Sequence, residues 1–185
     1  MMNHIDISSV LRQTLACDLY SNLVTRSTGA AVRGQIEQLL MDAGDRALTV
    51  IDFSHVSMID LSCADEVVAK LLMRYADETR PQDAYFLFRG VTEHHSDAIE
   101  SVLERHGLAL AIEQADGVQV MGVLRDVERR AWEATYRLAR VSAGDVADEI
   151  GCSVDEAQDA LDSLLQHRLV MYTDGDYVAV GRARG

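Results

Sequence analysis

Two short runs rich in strand formers, "ALTVIDF" (47–53) and "DAYFLFR" (83–89), are separated and flanked by longer stretches whose apolar residues recur at helical spacing. That alternation predicts an α/β fold. In "STGAAVRGQIEQLLMDAG", Ser27 or Thr28 stands where a helix cap is needed, Val32, Ile36, Leu39 and Leu40 form an apolar stripe, and Gly44 is the stop. Val67, Leu71 and Leu72 mark a second helix, which the only proline, Pro81, brings to a break. "SDAIESVLERHG" predicts a third, with Ile99, Val102 and Leu103 inward and Gly107 at its end. Ahead of these, Ile5 and Ile7 alternate as in a strand, while the residues up to 26 fit a hairpin or a helical turn equally.

A chain of 185 residues, 48% hydrophobic and 25% charged, suits one or two domains with a sizeable core. Its net charge of -13 excludes indiscriminate attraction to DNA, RNA or anionic lipid, because phosphates are repelled; any nucleic-acid contact has to be local. Cys17, Cys63 and Cys152 are far apart and lack paired spacing, so they suggest neither a disulfide framework nor a zinc site and fit a reducing cytoplasm. The opening "MMNHIDISSV" has no basic region followed by an apolar run, and no stretch is apolar enough to span a bilayer, so a cytoplasmic chain is expected.

The pattern changes near "EQADGVQVMG", where Asp116-Gly117 marks a tight turn, and residues 116–123 are expected to be turn and connector. Beyond it, "VERRAWEATYRLAR" offers Val127, Ala131 or Trp132, Ala134, Tyr136 and Leu138 for burial. "SAGDVADEIG" is a short helix capped by Ser142 and ended by Gly151, and "SVDEAQDALDSLLQHR" starts with Ser153 and Glu156 at capping-box spacing. "LVMYT" and "YVAV" flank Asp174-Gly175, a strong hairpin signal. Three helices followed by a small hairpin resemble a winged helix-turn-helix domain, an α+β unit covering residues 124–185 with a short tail.

At the junction "SHVSMIDLSCADEV", where a strand gives way to a helix, Asp60, Ser62, Cys63, Asp65 and Glu66 crowd together. The order of strand, tight turn, Asp-x-Ser and helix in "VIDFSHVSMIDLSCADEVVAKLLMRY" resembles the STAS domains of bacterial anti-sigma-factor antagonists and their STAS-like relatives. The likeness covers residues 1–115 as architecture, a STAS-like sheet with packed helices, and is specific only over residues 50–75. It implies phosphorylation of Ser62 by a partner kinase, a change of binding partner as the result, and an ATPase-fold serine kinase or an anti-sigma factor as that partner. The family commonly carries Asp-Ser-Ser/Thr-Gly, whereas this chain has Asp60-Leu61-Ser62-Cys63, followed by Asp65 and Glu66.

From the residues alone, Ser62 is either a helix cap complemented by Asp65 and Glu66 at the positive end of the helix dipole, or a switch at which phosphate adds about -1.5 to -2 charge. Cys63 reads as a small buried residue, with no Lys or Arg beside it in sequence to favour a thiolate.

The second helix of a helix-turn-helix normally enters the major groove. Here Ala157, Leu161, Leu164 and Leu165 form its inward stripe, which leaves Asp155, Asp159 and Asp162 facing outward, with Asp174 and Asp176 at the wing tip. Arg129, Arg130, Arg137 and Arg140 on the first helix, and Arg182 and Arg184 in the tail, make a separate basic patch; of these Arg129, Arg130, Arg182 and Arg184 are the candidate DNA contacts. In "TEHHSD", adjacent histidines do not share a helix face and no second ligand pair has the usual spacing, so a helix-capping loop is expected rather than a metal site. No glycine-rich phosphate cradle, dinucleotide fingerprint or nucleophile elbow is present.

The expectation is a cytoplasmic, non-enzymatic regulatory adaptor, without cofactor, that binds proteins through Asp60, Ser62, Cys63, Asp65 and Glu66 and through Asp155, Asp159 and Asp162, with a homodimer as one arrangement. The alternative is a DNA-binding transcriptional regulator whose STAS-like domain senses a signal or dimerises.

Overall fold

The computed structural model describes residues 2–7, 22–44 and 47–182. A five-stranded sheet is built from β1 (Met2–Asp6), β3 (Ala47–Asp52), β5 (Ala84–Arg89), β6 (Ala109–Gln114) and β7 (Gly117–Gly122), in that spatial order. The first four strands are parallel and β7 is antiparallel to β6. Two dipeptide strands, β2 (Asn22–Leu23) and β4 (Met58–Ile59), form a small parallel ladder of their own. The fold is therefore α/β with a mixed sheet. Residues 8–21, most of the stretch compatible with hairpin or helical turn, lie outside the described residues.

Helix α1 (Arg26–Ala43) precedes β3, and α3 (Glu93–His106) joins β5 to β6. Between β4 and β5, α2 is helical in three contiguous parts: an α-helical Leu61–Ala64, a π-helical Asp65–Lys70 and an α-helical Leu71–Ala76. Crossovers between parallel strands share one hand, and here the strand order always advances in the same direction, so the three helices belong on one face of the sheet. Their core agrees: Val32, Ile36 and Leu40 of α1, Val67, Val68 and Leu71 of α2, and Ile99, Val102 and Leu103 of α3 pack with Ile51, Phe86, Phe88 and Ile112.

That winding leaves the other face of the sheet bare, and it carries Leu48, Val50, Tyr85, Leu87, Ala109 and Ala111. The C-terminal helices α4 (Asp126–Leu138), α5 (Ala143–Ile150) and α6 (Val154–Gln166) cover it, and Trp132, Val146, Leu161 and Leu164 share one core with those sheet residues. The hairpin β8 (Val170–Thr173) and β9 (Asp176–Ala179) follows, turning through Asp174 and Gly175 at φ of 55° and 91°. Positive φ at both central residues matches the twist of the flanking strands, which is what the Asp-Gly pair supplies.

Several expectations change. Residues 116–123 are not a connector: Asp116-Gly117 turns the chain into β7, which pairs with β6 over its whole length. Val123 N–H donates to the Leu108 carbonyl at 2.8 Å, so in this ladder the Val120 and Gly122 carbonyls point to the open edge, where Arg129 takes them at 3.1 and 3.2 Å. Leu39 and Leu138, assigned to apolar stripes, are exposed. The cap of α1 is Thr25 rather than Ser27 or Thr28.

Candidate functional site at the start of α2

The two short strands bring the starts of α1 and α2 side by side. Asp60 leaves β4 in an extended conformation, its N–H donating to the Leu23 carbonyl at 2.9 Å, and its carboxylate then closes the first turn of α2. Oδ1 accepts from Cys63 N–H at 2.7 Å and from the Ser62 hydroxyl at 2.9 Å, while Oδ2 accepts from Thr25 N–H at 3.2 Å. Asp60 is thus the cap, and the reading of Ser62 as the capping residue is corrected: it sits inside the first turn, half-buried, with its hydroxyl donating back to the cap. Burial opposes the charge on Asp60, but the N–H groups of Cys63 and Thr25 and the Ser62 hydroxyl outweigh it and hold the carboxyl below its usual range.

Thr25 is held at φ 84°, a region that costs a β-branched residue free energy. Its carbonyl accepts from Cys63 Sγ at 2.8 Å, which adds a second tie between the helix starts. Burial, reinforced by the Asp60 charge, pushes the Cys63 thiol up to about 12, so this sulfur is a packed neutral group.

Asp65 and Glu66 begin the π-helical part of α2 and are almost fully buried. Arg26 reaches both, at 2.8 Å from Asp65 and 2.9 Å from Glu66. Asp65 also meets His106 Nε2 at 2.8 Å, and Glu66 meets Arg33 at 3.4 Å and Lys70. Arg26 and then His106 keep Asp65 ionised, while Lys70 and Arg26 keep Glu66 charged against the burial that opposes it. These carboxylates and Cys63 are turned inward, so among the junction residues it is Asp60 and Ser62 that lie nearer the surface. Close to them in the chain, Met58 and Leu61 are exposed at 48% and 40%, as is Val24 at 37%, next to the Thr25 that Asp60 bonds. In the register Asn22↔Met58 and Leu23↔Ile59, the buried Leu23 and Ile59 face inward and the exposed Met58 lies on the outer side.

Sequence reasoning found the acidic residues of this junction and missed its cations. The Glu66–Lys70 pair was accessible as an i,i+4 spacing, and Arg26 and Arg33, seven apart, as one face of α1. Their meeting across α1 and α2 carried no local signal.

Elsewhere, Asp155, Asp159 and Asp162 are exposed on α6 as expected, and Asp162 accepts from Gln158 at 2.8 Å and from the Tyr177 hydroxyl at 3.0 Å. The arginine patch is largely engaged: Arg129 on the β7 edge, Arg130 on the Ile150 carbonyl, Arg137 on Glu149, and Arg140 on Asp176 at 3.2 Å. Arg182 lies over the Tyr136 ring at 5.5 Å, and Arg184 is outside the described residues. His95 is buried at the start of α3, its Nδ1 accepting from Thr92 N–H at 3.1 Å and its Nε2 donating to the Val56 carbonyl at 2.8 Å, a capping role.

Among the described residues no group of three His, Cys, Asp or Glu side chains is placed to share a metal ion. At the end of β3, His4 Nε2 of β1 and Ser54 Oγ both bond Asp52, at 2.8 and 2.6 Å, so the hydroxyl is handed to the carboxylate rather than to an imidazole base. No protein-family model matches the chain, and no curated protein compared with it is similar. No helix among the described residues is long and apolar enough to cross a membrane.

Proposed function

We propose that this chain is a cytoplasmic regulatory adaptor that binds proteins without catalysing a reaction, and that the surface at the start of α2 is its switchable binding face. The observation that carries the reading is a half-buried Ser62 whose hydroxyl donates to the capping Asp60, at a helix start where Met58 and Leu61, its near neighbours in the chain, leave apolar side chains exposed. Exposed apolar side chains beside such a control point offer a protein contact. A phosphate on Ser62 adds about -1.5 to -2 charge directly beside Asp60, which is already ionised. The two anions repel, Asp60 leaves Cys63 and Thr25, and both the charge and the shape of the binding face change.

The likeness of residues 50–75 to STAS domains of anti-sigma-factor antagonists supports the same site and supplies the partner class, an ATPase-fold serine kinase or an anti-sigma factor. The C-terminal unit, read as a winged helix, serves as a second protein-binding or self-association surface in this proposal. Engaged arginines on α4 and exposed Asp155, Asp159 and Asp162 on α6 favour protein over DNA, since phosphate contacts need free cations.

Partner capture by variants of the full chain tests the proposal. Met58→Glu combined with Leu61→Glu reduces capture at least tenfold while folding stays near wild type, because both side chains are exposed. Ser62→Asp changes partner affinity and Ser62→Ala takes up no phosphate from the partner kinase. Unchanged capture by all of these variants sinks the proposal.

A further inference from the structure

Helix α6 ends in a Schellman motif: Leu169 N–H donates to the Leu164 carbonyl at 2.9 Å and Arg168 N–H to the Leu165 carbonyl at 3.1 Å. The left-handed position of this motif favours glycine, yet here it is Arg168, at φ 61°. A bulky residue persists in that conformation when its side chain is held by something else. Arg168 is 5% exposed, and its guanidinium crosses from the C-terminal layer to the end of α2. Nε donates to the Tyr75 carbonyl at 2.8 Å, in the last turn of α2, and the guanidinium lies 5.3 Å over the Tyr85 ring and 3.3 Å from Asp83. A cation at the C-terminus of a helix also complements its dipole. Beside this crossing the layers do not close: a cleft of about 500 Å³ runs along Ala76, Glu78, Leu165 and Tyr172. At that margin the side chain of Arg168 makes a polar tie between the C-terminal layer and the end of α2.

The same helix begins at Asp60 and Ser62. Between its two ends lies the π-helical Asp65–Lys70, whose wider turns hold a residue that an α-helix of the same length does not need. Slippage of this part into α geometry turns the C-terminal half of α2 by about 100° for one residue. The buried Tyr75 hydroxyl, which has no hydrogen-bond partner among the described residues, marks that half as incompletely satisfied where it stands.

We infer that Arg168 is a latch through which a charge change at Ser62 reaches the C-terminal helices: loss of the Asp60 cap lets α2 shift at its π-helical part, Tyr75 moves away from Arg168, and the grip on α6 and β8 loosens. This rests on the reading of Ser62 as the control point and adds the route from it to the second layer.

Hydrogen exchange read by mass spectrometry on the full chain tests the latch. Ser62→Asp is expected to speed exchange about tenfold in the α6–β8 segment. Arg168→Gly, which relieves the backbone conformation but removes the guanidinium, is expected to speed it similarly, and Ser62→Asp added to it then changes only the segment around Thr25 and Leu61. Arg168→Lys, which keeps the charge and loses the planar fork, gives an intermediate rate and serves as the milder variant. Unchanged α6–β8 exchange in Ser62→Asp overturns the latch, as does a Ser62→Asp effect that multiplies in full on top of Arg168→Gly or Arg168→Lys. Partner affinity, measured on the same variants, separates the two proposals: a Ser62 effect on affinity that survives Arg168→Gly with no propagated exchange keeps the switch and removes the latch. Propagated exchange without any affinity change removes the switch alone.

Discussion

At the scale of single residues, the chain gives several polar groups a structural role by enclosing them with their partners. His95 is the clearest: burial lowers its pKa from the ordinary 6.5, and both ring nitrogens are bonded in the neutral form. The unfolded chain therefore takes up a proton near pH 6.5 that the folded chain refuses. The stability this provides is complete above that pH and is lost as pH falls below it. Stability to urea is predicted to decline between pH 7 and pH 5 in the wild type and to decline less in His95→Gln, which keeps a capping-box side chain but cannot titrate. Equal declines contradict this role. Asp60, Asp65 and Glu66, with depressed pKa values, add a second loss at lower pH, starting below their ordinary values of 3.8 to 4.5.

At the scale of elements, α1 and α2 cross where Gly29 lies against Cys63. A Cβ at Gly29 would meet Cys63 Cα and Glu66 Cβ at 3.0 Å each, and neither is the end of a flexible side chain. Gly29→Ala is predicted to cost about 1–3 kcal/mol in urea denaturation, the usual penalty for overpacking a close contact; a neutral result places the crossing wrongly. Elements whose ends are set by local chemistry were legible in the sequence. Ser142, Ser153 with Glu156, Gly107, Gly151 and the Asp174-Gly175 turn all act where their residue types put them. Competition and distance hid the rest. Ser62 is a good cap type, but Asp60 comes first as the chain leaves β4 and takes the position. β7 reads as connector because its half-buried residues alternate weakly, and its pairing depends on β6 and Arg129. Arg168 breaks the rule for its position, and only its contacts 83 and 93 residues away in the chain explain it.

At the scale of the whole molecule, a sheet wound in one direction needs a second layer, and the C-terminal helices provide it. Leu48, Val50 and Leu87 alone bury side chains worth about 1.5–3 kcal/mol each, so their exposure is comparable with the 5–15 kcal/mol by which domains are stable. A chain truncated after Val123 is predicted to bind hydrophobic dyes and to lose cooperative unfolding, while the full chain unfolds in one transition. A cooperatively folded truncated chain contradicts the shared core. The central claim, that charge on Ser62 selects what the start of α2 binds, is met most directly by site-resolved mass spectrometry of Ser62 in chain purified from its native cells, comparing the free pool with the partner-bound pool. The switch predicts phosphate on Ser62 in one pool and its depletion in the other; Ser62 unmodified in both, or modified equally in both, contradicts it.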